Sequence, residues 1–249
     1  MPRRTIILLS AKRTGSTALL RAFQNHPQVG ICHVDQSISN WEPNFWNLAA
    51  DAIAGNPEPF QTRFTESHPL LGGCVPKTDW DAFEMWDRIL EELGPVVFDK
   101  TTGYLGSEPG LGLMMRYAQS HDVRIFGLIR DARDAISSQL DRFRGQVAGD
   151  SPAFREKRWL KRYSLLETLR AASGIPIVRY EDLTADPDTV MKRIMAYCGL
   201  EPIPQTWAHI KPVNVGRFQT PAISGWSPSP ALIEHLQRFG YVSSLKAAS

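Results

Sequence analysis

Four short apolar runs constrain this chain more than any other feature: "TIILLS" (5–10), "PVVFD" (95–99), "VRIFGLI" (123–129) and "IPIVRY" (175–180). Each is continuous rather than alternating, rich in β-branched residues and no longer than a strand. A strand that is apolar on both faces has to be covered on both, which is the situation of a parallel sheet between helices. Between the runs the spacing becomes helical. Leu19, Leu20 and Phe23 share a face; so do Phe83, Trp86, Leu90 and Leu93; Ala135, Leu140 and Phe143; Trp159, Tyr163, Leu166 and Leu169; and Val190, Ile194 and Tyr197. Strands alternating with helices predict an α/β fold, a central parallel β-sheet flanked by helices. Gly/Pro-rich pieces (55–59, 106–112, 145–152, 221–230) read as loops, and no repeat or long linker divides the 249 residues, so residues 1–249 are expected to form a single domain. Segment 35–90 opens with a Trp-rich stretch that has no strong strand signal. It is expected to be an acceptor-binding insertion or lid beside the sheet.

The charge balance narrows the function. A net charge of +2 gives no global field for nucleic acid, so an anion site has to come from local clustering. Six histidines lie scattered without metal-ligand spacing, and three cysteines form no CxxC pair. That argues against a zinc site or a disulfide framework and suits a reducing compartment. The apolar run near residue 5 is too short for a signal peptide, and no stretch is long enough to span a bilayer. The expectation is a cytoplasmic protein; its oligomeric state is not legible.

Local clustering appears where the first strand ends, in "AKRTGSTALL" (11–20). In a strand–turn–helix the backbone N–H groups of the first helical turn point at whatever sits in the turn, and the helix dipole favours an anion there. Gly15 lets the backbone approach closely, Ser16 and Thr17 add hydroxyls, and Lys12 and Arg13 add charge. An ordinary turn with a serine N-cap would leave two cations unexplained. The loop reads as a site for phosphate or a similar oxyanion. The Walker pattern GxxxxGK[ST] is absent, and no apolar run ends in an acidic pair suited to Mg²⁺. Asp99 does follow a strand, but Lys100 stands beside it.

"KRTGST" (12–17) resembles the first loop of the sulfotransferases that use 3′-phosphoadenosine 5′-phosphosulfate (PAPS), approximately P-[RK]-[ST]-G-[ST]-[ST] between strand and helix. Lys12 stands where that family usually has proline. "GLIRDARDAISSQL" (127–140) resembles the family's 3′-phosphate motif, an arginine at a strand end and a serine eight residues later: Arg130 and Ser138. Ala132 replaces the usual proline. "IVRYEDLTADPDTVMKRIMAYCGL" (177–200) is similar to the strand, Tyr-Glu-Asp-Leu and Asp-Pro helix of the family, and puts Tyr180 at the nucleotide. "VNVGRFQT" (213–220) resembles the late loop that closes over the 3′-phosphate, here with Gly216 and Arg217. The likeness runs from residue 5 to about 220, is weakest across 35–90, and is nearer to bacterial, glycan and tyrosylprotein members than to cytosolic steroid or phenol members.

The resemblance implies a P-loop-like phosphosulfate-binding loop after the first strand, PAPS as co-substrate, no metal, and a hydroxyl-bearing acceptor. Lys12, Arg13, Thr14, Gly15, Ser16 and Thr17 would hold the 5′-phosphosulfate. Arg130, Ser138, Gly216 and Arg217 would hold the 3′-phosphate. "FDKTTGYL" (98–105) is similar to the EKTPxYL stretch of glycan-type members, which puts Lys100 by the sulfuryl group, with Thr102 for the usual proline. Glycan and tyrosylprotein members carry an acidic base after the first helix, often as Glu-Pro. "NWEPNFW" (40–46) offers Glu42 and "HVDQS" (33–37) offers Asp35 and His33. Pro43 restrains Glu42 to extended backbone and suits the start of a helix.

For the acceptor, Trp41, Phe45, Trp46, Trp80, Phe83 and Trp86 could line a groove or belong to the core, and Arg155, Lys157, Arg158, Lys161 and Arg162 could hold an acidic group or form a solvated helix face. The expected activity is sulfuryl transfer from PAPS to a hydroxyl of a carbohydrate-like, lipid-linked or other small acceptor. The alternatives are sulfation of protein tyrosine and, more remotely, a P-loop kinase or a non-catalytic adenosine-bisphosphate binder.

Overall fold

The computed structural model describes residues 3–32, 42–65, 71–143, 150–211, 215–216, 223 and 225–241. Five strands form one parallel sheet: β1 (Arg4–Ser10), β2 (Val29–Ile31), β3 (Val96–Lys100), β4 (Asp122–Ile129) and β5 (Ile177–Arg179), in the order β2-β3-β1-β4-β5. The four apolar runs are β1, β3, β4 and β5. β2 is an addition to the sequence expectation: it has only three residues at a sheet edge, too few for periodicity to register.

Side chains alternate across a strand, so β1 feeds two cores. Ile7 and Leu9 enter one with Val97 and Ile125; Ile6 and Leu8 enter the other with Phe98 and Phe126. The second core is closed by α1 (Ser16–Gln24) and α9 (Pro187–Tyr197), where Phe23 stacks on Phe98 with ring centroids 4.1 Å apart. The first is closed by α2 (Phe45–Ile53), α4 (Asp79–Leu93), α5 (Glu108–Ala118) and α7 (Pro152–Ser173). Short turns α3 (Glu58–Phe60) and α8 (Tyr180–Ala185), α6 (Ala132–Arg142) and α10 (Pro230–Arg238) complete the single domain.

Phe45, Trp46 and Trp86 are fully buried and pack ring against ring with Phe60 and Phe64, and Trp86 Nε1 donates to Thr5 Oγ1 on β1 at 3.0 Å. They are core residues, whereas Trp80 is 67% exposed. Trp41 lies outside the described residues. Pro43 does not begin α2. The helix starts at Phe45 after Asn44, whose φ of 57° lies in the left-handed region that Asn tolerates better than most residues. Asp186, by contrast, caps α9 as its Asp-Pro signature implies, accepting from Thr189 N at 3.1 Å.

β1 sits where the order reverses: the chain leaves it toward β2 on one side and later crosses from β3 past β1 to β4 on the other. Its carboxyl end therefore opens a crevice flanked by the ends of β3 and β4, the usual ligand position in an open α/β sheet. Among the described residues no helix is long and apolar enough to cross a membrane.

Candidate active site

Three strand ends deliver the site. From β1 the chain passes through Ala11 to Gly15 into α1. Arg13 takes φ 69° and Gly15 φ 92°, two successive left-handed excursions that fold the loop back on itself. α1 begins after Gly15 with no side-chain cap. Its first-turn N–H groups therefore face the loop, beside Ser16 and Thr17. Thr14 departs from its expected role. It is buried, and its hydroxyl donates inward to Ala11 O at 2.8 Å, so it shapes the loop from inside. Arg13 is exposed, and Lys12 reaches over the Phe143 ring at 5.5 Å.

Gln139 on α6 and Tyr163 on α7 hold this loop. Gln139 Nε2 donates to Lys12 O at 3.1 Å. Tyr163 OH accepts from Ala11 N at 3.3 Å and donates to Leu128 O at 3.0 Å, tying the loop to β4. Neither has a sequence signal beyond its helical spacing.

The end of β4 brings Arg130 to the same loop. Arg130 Nη1 donates to Arg13 O at 3.1 Å, and Ser138 Oγ on α6 accepts from Arg13 Nε at 3.0 Å. The two residues of the second motif thus meet the first motif across more than a hundred residues of chain. Arg130 lies over the Tyr180 ring at 4.9 Å and 3.5 Å from Asp134 Oδ2, which also accepts from Gly216 N at 2.8 Å. Asp131 replaces the missing proline as organiser of the turn: its side chain caps α6 through Arg133 N at 2.9 Å, leaving Ala132 as the first helical residue. Asp131 N in turn donates to Glu181 Oε1 at 3.0 Å, and Tyr241 OH donates to Glu181 Oε2 at 2.8 Å. Arg217 lies outside the described residues.

The end of β3 supplies Lys100, only 4% exposed, with its Nζ 2.9 Å from Glu42 Oε1. Glu42 Oε2 accepts from Thr102 N at 2.8 Å and Thr102 Oγ1 at 2.7 Å. A lysine so buried needs a counter-charge, and Glu42 provides it. Oε1 has a second lone pair that none of these donors uses, so a hydroxyl brought to it finds an acceptor already fixed in place. Asp35 and His33 lie outside the described residues.

Asp99 lies directly beneath. It is fully buried, accepts from Tyr104 OH at 2.6 Å and Thr101 Oγ1 at 3.3 Å, and Thr101 Oγ1 accepts from Asn44 N at 3.1 Å. This chain of bonds anchors the segment that carries Glu42. Burial pushes the Asp99 carboxyl up to about 7, with Glu42 adding to the rise and Tyr104, Thr101 and Lys100 opposing it. A carboxyl raised in the folded state stabilises fully below its unfolded value and loses that contribution as pH rises through about 7. His235, buried and lowered to about 4, acts oppositely, costing stability as pH falls from 6.5. Asp99→Asn keeps one of the two acceptor oxygens, available to Tyr104 OH, and removes the titration. Going from about pH 5 to about pH 8, the wild type is expected to lose on the order of 2–3 kcal/mol more than the variant in urea unfolding. His235 is common to both and cancels in the difference. Parallel profiles would show Asp99 ionised throughout.

The donor set suits anionic oxygens: an uncapped helix start, the hydroxyl-bearing Ser16, Thr17 and Ser138, and the guanidinium groups of Arg13 and Arg130 gather around one loop. Among the described residues no three histidine, cysteine or carboxylate side chains gather as metal ligands.

Comparison with known proteins agrees with this geometry. No curated protein sequence matches the chain. Among solved structures, the sulfotransferase domain from the curacin biosynthetic pathway superposes with a TM-score of 0.66 at 15% identity, covering 97% of this chain and 98% of that one. The sulfotransferase domain of the Synechococcus PCC 7002 olefin synthase gives 0.64 at 17%, covering 96% and 95%. A sulfotransferase from Alicyclobacillus acidocaldarius gives 0.53 at 17%, covering 96% and 92%. At these identities the likeness establishes the fold. The sequence also matches the profile of the Sulfotransferase family over residues 5–205, which takes in the loop after β1 and the ends of β3, β4 and β5, and the chain belongs to that family.

Proposed function

We propose that the protein transfers the sulfuryl group of PAPS to a hydroxyl of a small acceptor. One observation carries the reading: Arg13 and Arg130 meet at the loop before the uncapped start of α1, and the neighbouring strand β3 ends in Lys100, which holds Glu42. PAPS would supply an activated sulfuryl group whose bond to the 5′-phosphate breaks as the bond to the acceptor oxygen forms. The first-turn N–H groups, Ser16, Thr17 and Arg13 hold the 5′ end, with Lys12 adding charge at the rim. Arg130 and Ser138 hold the 3′-phosphate, with Tyr180 packed beneath the arginine and Gly216 and Arg217 assigned to the same end. Lys100 stabilises negative charge near the transferring group. Glu42 accepts the acceptor proton, with Asp35 as the alternative base.

The acceptor enters along segment 35–90. Since Phe45, Trp46 and Trp86 belong to the core, it meets the residues around Glu42. The biosynthetic settings named for two of the solved relatives support a small-molecule acceptor ahead of protein tyrosine. Three free cysteines, Cys32, Cys74 and Cys198, support a reducing, cytoplasmic setting.

Turnover with labelled PAPS and a cell extract tests the reading. Tight adenosine 3′,5′-bisphosphate binding with no label transfer would leave a non-catalytic binder; preference for ATP with Mg²⁺ would leave a kinase. A further expected result concerns the 3′-phosphate. Losing a charge-assisted, partly buried contact costs roughly 1.5–3 kcal/mol. Arg130→Ala should thus weaken adenosine 3′,5′-bisphosphate about 10- to 100-fold and adenosine 5′-phosphate much less, by calorimetry. Equal losses would place Arg130 at the 5′ end, where its bond to Arg13 O already touches the loop.

A further inference from the structure

Arg155, Arg158 and Arg162 lie three and four residues apart on α7, so they form one row along the helix. Their surroundings differ. Arg155 is buried and paired with Asp150, with Gln139 Oε1 a further acceptor at 3.3 Å. Arg158 is exposed, over the Phe154 ring. Arg162 is half-buried, and among the described residues it makes no hydrogen bond or ion pair. Its Nη2 and Nε lie 3.8 and 3.9 Å from where a side chain on Gly106 would begin. Gly106 ends the turn Tyr104–Gly106, which begins two residues after Thr102, the residue that holds Glu42.

A guanidinium drawn partly out of water without a partner is unfavourable unless something compensates it. Burial lowers the Arg162 pKa, as do Arg158 and Arg155, while Tyr163 and the Glu42 carboxylate raise it. Glu42 already serves Lys100 and Thr102. The unmet demand at Arg162 is for a planar or tetrahedral oxyanion.

We propose that Arg162 binds an oxyanion on the acceptor, so that the substrate is a hydroxy acid or a hydroxyalkyl phosphate whose hydroxyl reaches Glu42. This rests on the sulfuryl-transfer reading for its purpose, but not for its test. Protein labelled with ¹⁵N-arginine and saturated with adenosine 3′,5′-bisphosphate is titrated with 3-hydroxybutyrate, glycerol 3-phosphate and neutral 1,3-butanediol. The Arg162 Nε–H signal, identified by its loss in Arg162→Lys, should shift saturably with one or both anions and not with the diol. The two anion arms separate carboxylate from phosphate. A response equal in all three, or none, overturns the proposal without any turnover being needed. In parallel, a cell extract is split on an anion exchanger and each fraction is offered with labelled PAPS. Transfer to the retained fraction supports the proposal, and transfer confined to the flow-through overturns it. Transfer to neither counts against sulfuryl transfer itself, and the titration still decides Arg162. With the retained acceptor, Arg162→Gln should raise KM at least tenfold, with bisphosphate affinity within twofold and partial recovery in Arg162→Lys.

Discussion

Glu42→Gln is expected to lower kcat by about 10²–10⁴-fold, the usual contribution of a positioned general base. The residue is 23% exposed, at the mouth of the site, and both carboxylate oxygens are oriented by fixed donors. The Gln amide keeps an oxygen for the Thr102 donors but removes both the negative charge on Lys100 and the acceptor for the hydroxyl proton. Two readouts separate these effects. Loss of the counter-charge lowers stability in urea unfolding, because Lys100 is left buried and unneutralised. Loss of the base lowers single-turnover transfer at saturating acceptor. Affinity for adenosine 3′,5′-bisphosphate should stay within about twofold of the wild-type value, since the arginines proposed to hold the nucleotide are untouched. Near-normal kcat in Glu42→Gln, together with its abolition in Asp35→Asn, would move the base to Asp35.

Gly15→Ala should be the most damaging small change in the molecule. Gly15 has φ 92°, a conformation that costs an L-residue roughly 1–2 kcal/mol. A Cβ there would also lie 2.3 and 2.4 Å from Cδ2 and Cε2 of Tyr180. The ring cannot simply retreat, because Arg130 lies against it at 4.9 Å. Either the loop or the Tyr180–Arg130 stack has to shift, and both belong to the proposed nucleotide site. We expect at least a 100-fold loss of adenosine 3′,5′-bisphosphate affinity, with stability lowered by about 2–4 kcal/mol. Adding Tyr180→Leu to Gly15→Ala should recover some stability by removing the clash, while the backbone strain and the lost stack keep binding weak. An unchanged affinity in Gly15→Ala would mean that the loop does not hold the nucleotide.

Buried parallel strands were legible because burial on both faces requires continuous apolar runs, and β1, β3, β4 and β5 have them. The loop 12–17 was legible as a candidate oxyanion site because its chemistry is local: six consecutive residues supply the turn, the hydroxyls and the charge. Asp186 capping α9 was legible for the same reason. β2 was not, since three edge residues carry no period. Nor was the fate of the aromatics. A tryptophan at helical spacing can face a core or a groove, and only the packing of α2 and α4 on the sheet put Trp46 and Trp86 inside and left Trp80 outside. Thr14 looked like a ligand because its type fits, but the fold of the loop turned its hydroxyl inward. The contacts that unite the site join residues far apart in the chain: Arg13 with Ser138, Gly15 with Tyr180, Lys100 with Glu42, Ala11 with Tyr163. Residue types and spacing could nominate most of these partners. Which atoms meet depends on strand order and on how helices sit across the sheet, and no local pattern records either.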